Sequence, residues 1–171
     1  MLKLIRQDLL LSEVSLLVES PVPGVVLIDA VLDRQEAPLH WRAGLWDKPP
    51  LDISLAPDGR LTAVQFVLQD ERVPRSDGLQ LSGAGPGGSW PVFDVVSWPD
   101  GRYLDEEVVV SFERMGDSLV LGIGAAVAQR WERVGEGLAV GLNVSDEVVA
   151  LALGPLDAED WNAIDTFSSV A

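Results

Sequence analysis

Cysteine is absent from this 171-residue chain. That excludes disulfides, zinc–thiolate sites and cysteine nucleophiles. Histidine occurs once, as His40. A single imidazole cannot build the usual multi-histidine metal clusters and can fill at most one general acid–base role. Lysine is nearly missing too: Lys3 and Lys48 are the only two, and 12 bases stand against 27 acids for a formal net charge of −15. A surface so negative repels nucleic-acid phosphates and anionic membranes and attracts a basic partner. The same acidity also serves plain solubility.

Long apolar runs are lacking as well. A spanning helix needs about 18 or more apolar residues in a row, and the best stretch, Ser118 to Gln129, is shorter and contains Gly122 and Gly124. The N-terminal MLKLIRQDLLLSEVSLL places Lys3 and Arg6 before a leucine run. Asp8 and Glu13 interrupt that run, and no small-residue cleavage site follows. The expectation is a soluble, cytoplasmic, single-domain protein spanning 1–171, with an apolar content of 47% sufficient for a packed core.

What the chain does have is a piece of itself twice. Residues 49–73 align without a gap on residues 91–115, at an offset of 42. Pro49, Asp52, Pro57, Asp58, Gly59, Arg60, Val67, Glu71 and Arg72 meet Pro91, Asp94, Pro99, Asp100, Gly101, Arg102, Val109, Glu113 and Arg114. The unit reads as two strands around a Pro-Asp-Gly turn. Proline presets φ for the second turn position, aspartate suits the third, and glycine takes the left-handed fourth. Two hairpins of one design are therefore expected, each with a short glycine-bulged loop. In the second, Trp98 would lie opposite Arg102.

Turn signals recur at Pro23-Gly24, Asp77-Gly78, Gly116-Asp117 and Glu136-Gly137, with short β-branched runs between them. Strands are expected at Val25–Val31, Leu51–Leu55, Leu61–Gln69, Val92–Val96, Glu107–Phe112, Leu119–Ile123, Leu138–Asn143 and Val148–Leu153. Alternation points Val64, Phe66 and Leu68 to one face, and Val108, Val110 and Phe112 to one face. One helix stands out after Gly154-Pro155. Asp157 caps it, Glu159 and Asp160 suit its positive first turn, and Trp161, Ile164 and Phe167 form its apolar stripe. Ala125–Arg133 reads as helix or strand, and so does Leu2–Leu11. The fold class is mainly β: an antiparallel sandwich or curved sheet with a duplicated hairpin unit and a C-terminal helix.

Few residues point to chemistry. Gly83-Ala84-Gly85-Pro86-Gly87-Gly88 satisfies G-x-G-x-x-G in form, but a strand-like Ser89-Trp90-Pro91-Val92-Phe93 follows instead of a helix, and Pro86 removes an N–H. It reads as a loop. His40 reads as a structural or surface residue, and no Gly-x-Ser-x-Gly elbow accompanies it. Arg130-Trp131-Glu132-Arg133 is too small a basic island for nucleic acid against the overall charge. No cofactor, metal or catalytic residue is expected.

Asp52 and Asp94 recur at equivalent positions inside strands, where aspartate is disfavoured. They are read as strand-end caps or as paired binding positions. Of six tryptophans, Trp41, Trp46, Trp90 and Trp98 are candidate binding residues where they reach the surface, and core residues where they do not. Trp161 is assigned to the core. Two functions follow. One is a non-enzymatic module that binds a basic protein through an acidic, tryptophan-bearing face; on charge and size alone, a bacterial immunity or antitoxin-like protein would be one form of it. The other is a small-ligand protein or enzyme with a pocket between the repeat halves, lined by Trp90 or Trp98 and covered by Gly83–Gly88. Pairing of exposed strand edges into a homo-oligomer is a third.

Overall fold

The computed structural model describes residues 1–9, 13–22, 24–33, 36–46, 49–69, 73–76, 88–96, 98 and 101–168, the last three as backbone only. The chain is mainly β. In order, the strands are β1 (Leu4–Leu9), β2 (Ser15–Val22), β3 (Val25–Val31), β4 (Leu39–Gly44), β5 (Leu51–Leu55), β6 (Leu61–Gln69), β7 (Arg75–Ser76), β8 (Ser89–Phe93), β9 (Tyr103–Glu107), β10 (Val110–Met115), β11 (Ser118–Ile123), β12 (Arg130–Gly135), β13 (Gly137–Leu142) and β14 (Val148–Gly154). One helix, α1 (Ala158–Ser168), follows. Among the described residues, no helix is long and apolar enough to cross a membrane.

Among the described residues, two six-stranded sheets and one ribbon result. The first sheet runs β2-β3-β6-β5-β4-β9, the second β12-β13-β14-β11-β10-β7, and β1 pairs with β8. Pairing is antiparallel except for β9 against β4 and β7 against β10. Period-2 alternation explains which side of each strand is dry. Val26, Ile28 and Ala30 of β3, Leu51, Ile53 and Leu55 of β5, and Val64, Phe66 and Leu68 of β6 are all buried. They join Leu119, Leu121 and Ile123 of β11 and Leu151 and Leu153 of β14 in one apolar cluster. Each fully buried aliphatic side chain stabilises the fold by about 1.5–3 kcal/mol.

The first Pro-Asp-Gly turn closes the β5–β6 hairpin. The Gly59 N–H donates to Ala56 O at 2.8 Å, and the Arg60 N–H to Asp58 Oδ1 at 3.2 Å. Gly59 has φ +87°, and a Cβ there would sit 2.2 Å from the Phe93 carbonyl oxygen. Glycine is therefore required twice over, by conformation and by close approach.

The second copy is not a hairpin. Its first strand, β8, pairs with β1, while β9 pairs with β4 and β10 with β11. The expected strand Val92–Val96 is shifted to Ser89–Phe93, and Glu107–Phe112 divides between β9 and β10. No shared register places Trp98 opposite Arg102. Pro99 and Asp100 of its turn lie outside the described residues, as do Pro23, Asp77-Gly78 and Gly83–Gly87. Val108, Val110 and Phe112 do pack on the core as their alternation predicts, and Phe112 stacks on Phe66 with centroids 5.7 Å apart.

Of Ala125–Arg133, the first part is irregular and Arg130–Arg133 belong to β12, and of Leu2–Leu11, Leu4–Leu9 form β1. The C-terminal helix is present. Asp157 Oδ1 accepts the N–H groups of Glu159 (2.7 Å) and Asp160 (3.0 Å), and Asp160 Oδ2 accepts the N–H of Asp157 (3.0 Å). This reciprocal cap satisfies helix-end donors that would otherwise be unpaired. Trp161 and Ile164 are buried, and the Arg114 guanidinium lies 3.9 Å from the Trp161 ring centroid. The side chain of Phe167 lies outside the described residues.

Candidate functional site

The outward face of the first sheet carries two registered rows of side chains. In one row Asp29, Gln65, Asp52, Arg42 and Asp105 are successive Cα partners across β3, β6, β5, β4 and β9. In the next, Val31, Ala63, Ser54, His40 and Tyr103 follow the same strands. The local reason is strand period. Trp41 and Ala43 point inward, so His40 and Arg42 point outward. Leu51, Ile53 and Leu55 point inward, so Asp52 and Ser54 point outward.

Polar and aromatic groups interlock there. Arg42 donates from Nε and Nη2 to the two oxygens of Asp105, at 2.7 and 2.8 Å. This bidentate geometry is the strong form of the guanidinium–carboxylate pair. The bond to Asp105 holds the Arg42 guanidinium above its ordinary pKa, against an opposing effect of burial. The guanidinium lies 4.6 Å from the Tyr103 ring centroid and 5.8 Å from that of Trp46, within cation–π range. Tyr103 in turn stacks on His40, with centroids 5.0 Å apart and planes at 14°.

His40 Nδ1 lies 2.9 and 3.1 Å from the two carboxylate oxygens of Asp52. An ionised carboxylate only accepts, so Nδ1 carries the proton. Ser54 Oγ is 3.3 Å from the same nitrogen and donates to Asp52 Oδ1 at 3.4 Å. A Ser-His-Asp relay needs the serine and the acid on opposite ring nitrogens. Here both converge on Nδ1. The arrangement fixes the imidazole against Tyr103 and does not activate Ser54. Among the described residues, no group of three metal-ligating side chains is placed to hold an ion.

Of the residues singled out from sequence, Asp52 and Trp46 are brought to this face, linked through Arg42. Trp46 is 43% exposed and has φ +65°, a left-handed backbone that a bulky residue rarely adopts. Trp41 lies on the opposite side of β4, fully buried, and donates from Nε1 to Glu106 Oε2 at 2.9 Å. Glu106 also takes the Met1 ammonium at 2.6 Å. Trp90 is buried on β8, its indole N–H bonded to Leu61 O and its ring 4.9 Å from the Arg60 guanidinium. Trp98 is partly buried against the core. Asp94 Oδ1 caps the Val96 N–H at 3.0 Å, away from the rows. Asp52 and Asp94 are thus equivalent in sequence and different in role.

Arg42, Ser54, Tyr103 and Asp105 went unmarked in the sequence, and His40 was read as an ordinary residue. The available signal was i, i+2 spacing: His40/Arg42, Asp52/Ser54 and Tyr103/Asp105 each alternate with inward residues. The parallel pairing of β9 with β4 carries no such signal.

A second feature adjoins this face. A cleft of about 310 Å³ opens where β4 and β9 end, lined by residues of both repeat copies, including Leu51, Phe66 and Val67 of the first and Val109, Val110 and Phe112 of the second. Trp90 and Trp98 do not line it.

No protein-family model matches the chain, and no curated protein matches it either.

Proposed function

We propose that this chain is a non-enzymatic protein-interaction module that engages a basic protein through the outward face of β4, β5 and β9. The observation that carries the reading is Tyr103, 53% exposed, and Trp46, 43% exposed, flanking an Arg42 already paired to Asp105. Exposed aromatics beside ordered charge are the residue types that dominate protein contacts. The chain's −15 charge selects a positive partner and speeds its encounter. An immunity or antitoxin-like relation to a basic protein is one form this takes, and a cytoplasmic setting fits a cysteine-free chain. The competing small-ligand reading needs polar groups converging in a pocket; the cleft between the copies is lined by apolar residues and Gly44.

The same proposal takes the two six-stranded sheets as a sandwich and 49–73/91–115 as a duplicated unit. Support comes from the single apolar cluster to which both sheets contribute, and from the shared Pro-Asp-Gly positions.

The test is affinity capture from the native lysate at low salt, with wild type beside Tyr103→Ala and Trp46→Ala. A basic protein retained by wild type, released by salt and lost from both variants is the expected result. If nothing basic is retained, or both variants retain it equally, the proposal fails.

A further inference from the structure

A cleft lined by apolar side chains lies at the ends of β4 and β9, beside the proposed binding face. Its wall is core material: Phe66 is 2% exposed and stacks on Phe112. Its mouth is unusually apolar. Leu45 is 50% exposed and Val109 57%, with Trp46 next in the chain to Leu45. Large apolar groups gathered at one opening mark interaction sites more often than isolated ones do. No charged side chain lines the interior.

Among the described residues, a carboxylate lies beside the cleft. Glu107 is exposed and is the Cα partner of Gly44, which lines the cleft. Val109 follows it by two residues, so the carboxylate and the apolar mouth are neighbours.

We infer that this cleft receives one large aliphatic or aromatic side chain of a basic partner segment, whose flanking Lys or Arg residues lie on the Glu107 side of the mouth. The inference rests on the protein-binding reading above and names the anchor that reading lacks. An apolar anchor in a desolvated pocket supplies most of the binding energy of such contacts, with the rim charges setting orientation.

The experiment uses the full chain and labelled hexapeptides, read by fluorescence anisotropy at low salt. The probes are Lys-Lys-Leu-Trp-Lys-Lys, its Ala-Ala-centred counterpart, and Leu-Trp flanked by serines or by glutamates. The first should bind at least tenfold tighter than the others. Val109→Asn and Val109→Trp, both at an exposed position and therefore tolerated by the fold, should each weaken it at least tenfold, and Glu107→Gln should weaken it severalfold. Equal binding of the Ala-Ala peptide would overturn the cleft as anchor while leaving the acidic face intact as a binding surface. Equal binding of the serine- or glutamate-flanked peptides would overturn the basic assignment. No binding of any peptide, or full binding by both Val109 variants, would overturn the inference even if the lysate captures a basic protein.

Discussion

The two repeat copies share nine residues at matched positions and are used differently. Copy one, 49–73, is a true hairpin: β5 and β6 pair with each other in the middle of the first sheet. Copy two, 91–115, is dispersed over four pairings, with β1, β4, β11 and β7. They meet where the Phe93 N–H of copy two donates to Gly59 O of copy one at 2.8 Å, and where Phe112 stacks on Phe66. The lesson is that a shared Pro-Asp-Gly sequence leaves strand pairing open. Partner choice follows from which neighbouring strand offers an unpaired edge and a matching apolar face.

That comparison can be broken by experiment. The largest difference is expected in the core. Phe66→Ala should cost about 3–5 kcal/mol in urea unfolding. Its repeat equivalent Val108→Ala should cost only about 1 kcal/mol, because the lost groups are partly buried. Equal losses would mean the two copies carry equal weight.

The turns come next. Gly59→Ala should cost about 3 kcal/mol, since its Cβ would strike Phe93 O in addition to the positive φ. Gly101 has φ +155° with nothing within 4 Å of an added Cβ. Gly101→Ala should therefore cost about 1 kcal/mol, strain without collision. A thermal-melt series on both variants measures the gap.

The aspartates give a smaller effect and a sharper one. Asp52→Ala and Asp94→Ala should each lower stability by about 1 kcal/mol, one by freeing His40, the other by removing a backbone cap. Only Asp52→Ala should weaken capture of the proposed basic partner. Smallest of all in stability is Asp105→Asn, under about 1 kcal/mol because the Arg42 pair is largely exposed. Its loss should still appear as weaker, less salt-sensitive partner binding.

Much of the scaffold was readable from local pattern. Val25–Val31, Leu51–Leu55 and Leu61–Gln69, short apolar runs between turn signals, form strands with those bounds. Asp157 before Glu159 and Asp160 announced the helix start. β2, β4 and β9 escaped notice. β2 is mostly exposed along its length, and β9 carries Asp105, Glu106 and Glu107 in a row, a composition that reads as loop. The tryptophans were legible as important and illegible in direction. Trp41 and Trp46, five residues apart, end one at 0% and the other at 43% exposure.

By itself, the sequence determined the exclusions, the β class, the first turn and the alternation that turns Asp52 and Ser54 away from the core. These are short-range matters: φ preferences, side-chain period and residue chemistry act within a few positions of the chain. The tertiary structure alone decided that Tyr103 and Asp105 come to lie beside His40 and Arg42, and that Phe66 and Phe112 close one cleft. Those contacts span 63 residues in the Arg42–Asp105 pair. At such separations the pairing is settled by the collective burial of two sheets on one core, a quantity that no local motif records.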